Sequence, residues 1–298
     1  MLSEEFLAAL DVRWNPAEPV ASEASLRELR SQRAVALELQ VLDVRIARLL
    51  GLQGDFARAS QLLDAVERGA DAQPPAELGV RLLLERGRLL NSQDRPLEAR
   101  PLFEQAHTLA GQVGLDALDV DALHMVAITR RGDPPQALAW DLRALALAER
   151  SAEPRARQWL AVLYNNIGYT YDDQGEYARA LELFEKALQL RLAAGKPGPI
   201  RLAHYAVAHA ERELGRIDAA RTRLLPLLSE LEASGAPAGH VLEELGECEL
   251  AAGHLDTARP YFACAHAALA NDPWVRTHQG ARLDRLAQLA GTTAARTS

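Results

Sequence analysis

The histidines and carboxylates of this 298-residue chain are its first candidates for chemistry, and their spacing keeps them apart. No His-Glu-x-x-His pair occurs, and His204 and His209 are five apart, about 140° around a helix, so they do not converge on a metal. Asp172-Asp173 and Glu243-Glu244 are adjacent rather than facing carboxylates. There is no Gly-x-Ser-x-Gly, phosphate loop or dinucleotide fingerprint. The expectation is a non-catalytic protein with no metal and no cofactor. What the chain does offer is hydrogen-bonding chemistry. Val162, Asn165, Tyr169 and Asp172 recur at i, i+3, i+7 and i+10, with Asn166 at the margin. Amides and phenols bond a peptide at modest desolvation cost.

The element that must position these residues runs from Tyr164 to Leu188. In its first half Tyr164, Ile167, Gly168 and Tyr171 share one helical face, and in its second half Tyr177, Ala180, Phe184, Ala187 and Leu188 do the same. The stretch from Asp172 to Glu176 breaks the apolar period, and Gly175 can take the left-handed conformation that ends a helix. Gly168 and Ala180 are small where two backbones approach, while Tyr171 and Phe184 fill the space beside them. The segment is therefore a helical hairpin.

The same turn recurs along the chain. Gly54 with Ala59, Asp94 with Ala99, Gly132 with Ala137, Gly175 with Ala180, Gly215 with Ala220 and Gly253 with Ala258 repeat at intervals of 40, 38, 43, 40 and 38 residues. Large residues follow at Leu63, Phe103, Phe184, Leu224 and Phe262, whereas the third copy has Asp141 there. The central copy, with Tyr164, Ile167-Gly168, Tyr171, Gly175, Ala180, Phe184 and Ala187, resembles a tetratricopeptide repeat. Its long period and its Asn165-Asn166 pair are similar to those of kinesin light chains and of bacterial regulatory tetratricopeptide proteins. The likeness covers roughly residues 35 to 270. It implies an all-α, right-handed superhelical solenoid of about six hairpins with terminal capping helices. Residues 1–34 would be a leader and capping helix. Residues 271–298 would hold a capping helix from Pro273 to Leu289, carrying Val275, Leu283, Leu286 and Leu289, and a disordered tail from Thr292. The first long helix is expected over Leu37–Leu50, ending before Gly51.

In the resembled family the first helices of successive hairpins line a concave face, which implies where a partner would bind. The corresponding positions are Val44 and Arg48; Arg81, Leu84, Arg88 and Asn91; Asp119, Ala122, Val126 and Thr129; Asn165, Asn166, Tyr169 and Asp172; Leu202, Tyr205, His209 and Arg212; and His240, Glu243 and Glu247. Such a surface runs from arginine-rich, through polar and aromatic, to acidic. The chain's two lysines, Lys186 and Lys196, stand off this stripe, so a chaperone-tail carboxylate clamp is not matched. The resemblance implies a scaffold that captures a protein or peptide segment, or alternatively a regulator whose superhelix shifts on binding a small peptide.

Composition agrees with an all-α chain: 48% hydrophobic, 5% aromatic, without β-branched strand runs. A net charge of −8 disfavours a broad nucleic-acid or anionic-membrane surface. The start, MLSEEFLAALDVRWNP, is acidic where a signal peptide would be basic, and its apolar stretch is short, so a cytoplasmic protein is expected. Cys248 and Cys264 fall in the helices of one hairpin and read as buried reduced thiols. Trp140, Trp159 and Trp274 read as hairpin packing. A terminal hairpin can pair with a second copy as readily as with its own cap, so a homo-oligomer stays open.

Overall fold

The structure is a computed structural model that describes residues 2–70 and 74–291. Among these residues every regular element is helical, and the chain forms two compact units divided between Leu163 and Tyr164. The tail expected to be disordered from Thr292 lies outside the described residues.

In the first unit α1 (Glu4–Val12) and α2 (Pro19–Ser31) precede three hairpins. These are α3 (Ala36–Leu52) with α4 (Phe56–Arg68), α5 (Ala76–Ser92) with α6 (Pro96–Val113), and α7 (Asp116–Ile128) with α8 (Pro134–Arg150), followed by the single turn α9 (Pro154–Arg157). Ser3 caps α1 by accepting from the Phe6 amide at 3.1 Å, and Phe6, Leu7 and Leu10 join Leu26, Leu29 and α3 in one core. Gly51 does not end α3, as the sequence suggested. It packs inside the helix, where a Cβ would stand 2.7 Å from Leu89 Cδ2.

The division falls within α10 (Leu160–Asp173). The second unit continues with α11 (Tyr177–Ala194), then α12 (Pro197–Glu213) with α13 (Ile217–Ser234), and α14 (Gly239–Ala251) with α15 (Leu255–Leu269). The tail forms two helices rather than the one expected, α16 (Pro273–His278) and α17 (Gly280–Leu289), because Gln279 leaves helical geometry (φ −126°, ψ 37°) just before Gly280. It still covers the last hairpin: Val275 and Leu286 are buried against Ala258, Phe262 and Leu269.

Gly54, Gly175, Gly215 and Gly253 make their turns at φ between 74° and 79°, and Asp94 adopts the same left-handed region at 58°. The third turn, at Gly132, does not use it among the described residues.

Within each hairpin the residue seven before the turn faces the large residue sixteen further on. A Cβ at Gly87, Gly168 or Gly246 would come within 2.5, 2.5 or 2.7 Å of Cε1 of Phe103, Phe184 or Phe262. Where the second helix carries Leu63 or Leu224, the first carries Ala47 or Ala208, and where it carries Asp141 the first carries Met125, all of them buried. Volume is thus conserved pair by pair, as close packing requires.

Candidate partner-binding surfaces

In the second unit α10, α12 and α14 are first helices of successive hairpins, and their polar side chains meet in one line. His209 Nε2 lies 3.2 Å from Asp172 Oδ2 and its Nδ1 lies 3.1 Å from Glu244 Oε2. Arg212 Nε donates to Glu244 Oε1 at 2.5 Å. Burial opposes charge on His209, but hydrogen bonds to the two carboxylates outweigh it and raise its pKa to about 10. The ring is therefore an imidazolium donating from both nitrogens. Burial alone would raise Glu244; the hydrogen bond from His209 and the charge of Arg212 reverse this and hold it below the usual carboxylate range.

Tyr205 stacks 6.4 Å from His209 and stands edge-on 6.5 Å from His240. Burial, then the Glu244 charge, raise its phenol well above the ordinary value, so it remains a neutral donor. From α17, Arg282 binds both oxygens of Glu243 and donates to His240 Nδ1 at 2.8 Å, and Arg285 pairs with Glu247. The charged members of the expected stripe are thus answered from within the unit. Asn165 and Asn166 are half-buried, Tyr169 is exposed with its ring 4.8 Å from Phe184, and Leu202 is 63% exposed.

In the first unit Arg81 and Arg88 lie on α5 with Asn91 half-buried at its end. Arg81 donates to Glu77 at 2.9 Å, and Arg88 donates to Glu85 at 2.6 Å and to Asp121 on α7. Arg48 stands 3.8 Å from Glu85. Val44 and Leu84 point into the core instead of outward. So does the stripe Asp119, Ala122, Val126 and Thr129, because α7 is enclosed by α5, α6, α8 and α9. There Asp119 pairs with His107, and the Thr129 hydroxyl donates to the Val126 carbonyl at 2.8 Å.

Beside these arginines is a cavity of about 620 Å³, lined by Arg45, Arg48, Arg81, Arg88 and Arg155 and by Trp14 and Trp159. Trp159 therefore borders a cavity as well as lying 5.8 Å from His124. Trp140 is half-buried in packing as expected, whereas Trp274 is 58% exposed and stacks on His278. Cys248 is buried, but Cys264 faces outward, on the side of α15 opposite the buried Ala258, Phe262 and Ala265.

Glu85, Asp121, Glu244 and Arg282 complete these pairs and lie outside the stripes read from the sequence. Their partners on other helices are 32 to 39 residues away, near one repeat length, which is the signal that identifies them. Among the described residues no group of three or more His, Cys, Asp or Glu could hold a metal ion, and no helix is long and apolar enough to cross a membrane.

A tetratricopeptide repeat model matches residues 121–193. No curated protein sequence matches the chain. Among solved structures it is similar to the apo form of RapI, with 16% identity and a TM-score of 0.71 over 97% of this chain and 80% of that one. It is also similar to the apo form of the quorum sensor NprR from B. thuringiensis, with 17% identity and a TM-score of 0.65 over 97% and 80%. A third likeness is to the repeats of a putative kinesin light chain from Podosopora anserina, with 18% identity and a TM-score of 0.53 over 70% and 99%. At these identities the likeness is one of fold. Residues 121–193 thus match the tetratricopeptide repeat model, and with six copies of one turn phrase and helices paired around them the chain has an all-α repeat fold similar to that of tetratricopeptide solenoids.

Proposed function

We propose that the protein is a non-catalytic cytoplasmic scaffold that captures an extended or helical segment of another protein, or a peptide, on the faces of its first helices. The observation that carries this is the division of labour in the second unit. Asp172, His209, Arg212 and Glu244 neutralise one another into a rigid frame, leaving Asn165, Asn166, Tyr169 and Leu202 to meet a partner. Amides and rings held on such a frame bind with little ordering cost. A second reading, a peptide-sensing regulator whose helix packing shifts on binding, is favoured by the likeness to a quorum sensor over nearly the whole chain.

The test compares wild type with the Asn165→Ala, Tyr169→Ala double variant in affinity capture from lysate of the source cells, with helicity checked by circular dichroism. Loss of a retained species at unchanged helicity is the expected result. Identical retention would place the working surface elsewhere. Small-angle scattering with and without the captured species separates the two readings, since only the regulator changes its profile.

A further inference from the structure

The arginines lining the first-unit cavity are not all answered by carboxylates. Arg88 is shared by Glu85 and Asp121, Arg81 is held by Glu77, Arg48 faces Glu85, and Arg155 pairs with Asp11 at 2.8 Å. Arg45 has no carboxylate within ion-pair distance and no hydrogen-bond acceptor among the described residues. Its guanidinium instead lies 5.0 Å over the ring of Trp14. With one face against an indole, the donor edges of Arg45 remain for another group. Burial, then repulsion from Arg81, bring its pKa down to about 10, against the partial attraction of Glu85 and Asp121, neither of which pairs with it directly. A second deficit borders the same cavity: Arg155 Nε is buried with no hydrogen-bond partner among the described residues.

We propose that this cavity binds a small amphipathic monocarboxylate, its carboxylate seated on Arg45 and its apolar body between Trp14, Trp159 and Leu115. The volume of about 620 Å³ suits a small organic ligand. The free donor edges of Arg45 suit the two oxygens of one carboxylate, and the five carboxylates on the same lining, Glu4, Asp11, Glu77, Asp121 and Glu153, oppose any further negative charge, which selects a carboxylate over a phosphate dianion. A charged pair out of bulk water, with donors in a planar fork, supplies both strength and orientation. The site is separate from the second-unit surface and does not depend on partner capture there.

The test is calorimetric titration of the full chain with 2-naphthoate, with the neutral isostere 2-naphthamide and with 2-naphthyl phosphate. The acid should bind saturably, at least about tenfold tighter than the amide and tighter than the phosphate. Arg45→Gln should reduce the acid to the level of the amide, while Arg131→Gln, at an exposed site away from the cavity, should leave it unchanged. Absence of saturable acid binding, equal affinity for acid and amide, tighter binding of the phosphate, or an acid preference that survives Arg45→Gln would each overturn the proposal. Removing a desolvated charge that lacks a protein carboxylate should not unfold the chain. If Arg45→Gln fails to fold, the wild-type comparison of acid, amide and phosphate decides alone.

Discussion

The ring of Phe184 occupies the space that any side chain at position 168 would need, with Cε1 only 2.5 Å from where a Cβ on Gly168 would lie. Gly168→Ala gains about 1 kcal/mol of helix propensity but forces an overpacked core, which typically costs about 1–3 kcal/mol and here involves a ring fully inside the hairpin. The single variant should therefore be destabilised in urea unfolding. Adding Phe184→Leu reproduces the Ala208–Leu224 combination of the next hairpin and should recover most of the loss, giving a coupling of at least about 1 kcal/mol in the double-mutant cycle. Additive effects would show that the two positions do not share one volume.

Arg88→Gln should be far more damaging than its position on a partner-facing stripe suggests. Glu85 and Asp121, 3% and 8% exposed, would keep their charges without their guanidinium. Breaking a pair of this kind costs about 3–5 kcal/mol. Urea unfolding of the variant reads this directly, and a loss below about 1 kcal/mol would show that water or a neighbouring arginine replaces Arg88. Impaired partner binding by Arg88→Gln would consequently report on folding first.

His209 makes stability depend on pH with a definite sign. Its folded pKa of about 10 stands above the ordinary 6.5, so the folded state binds the proton more tightly than the unfolded chain does. The contribution is complete below the unfolded pKa and is lost as pH rises through the folded one. The stability difference between wild type and His209→Gln should be largest near about pH 6 and shrink toward about pH 10. Parallel curves would mean that the imidazolium is not held between Asp172 and Glu244.

The two thiols should differ in reactivity. Burial raises the pKa of Cys248 to about 12, and its side chain is inaccessible, whereas Cys264 is exposed. A thiol reagent such as 5,5′-dithiobis-nitrobenzoate should titrate one equivalent in the native protein and both cysteines after denaturation. Two rapid native equivalents would contradict the packing of Cys248 on α14 against Ala208, Ala220 and Leu224 of α12 and α13.

The hairpins are legible from sequence because each is local: a turn residue, an alanine five positions on and a large residue after it recur at helical spacing, and these suffice to mark Gly54, Asp94, Gly175, Gly215 and Gly253 as turns. The polar surface is less so. Arg88 and His209 stand on the stripe that repeat geometry implies, yet their partners Asp121 and Glu244 lie on the next first helix, so pairing depends on how one hairpin stacks on another. Enclosure of α7 is equally non-local, since nothing in Asp119 or Thr129 announces four covering helices. Arg45 escapes the reading altogether, because its significance is a missing neighbour.

The reciprocal sizes at facing positions restrict how such a protein can be recombined. Joining α10 to α13 would set Gly168 against Leu224 and leave a void, and joining α12 to α11 would drive Ala208 into Phe184. Swapping the unbroken α12–α13 hairpin keeps each pair matched. The transferable unit is thus the hairpin, and crossover points for chimeras belong in the links that leave its second helix, such as Gly195 and Gly235, rather than in the tight turns that carry the recognisable motif.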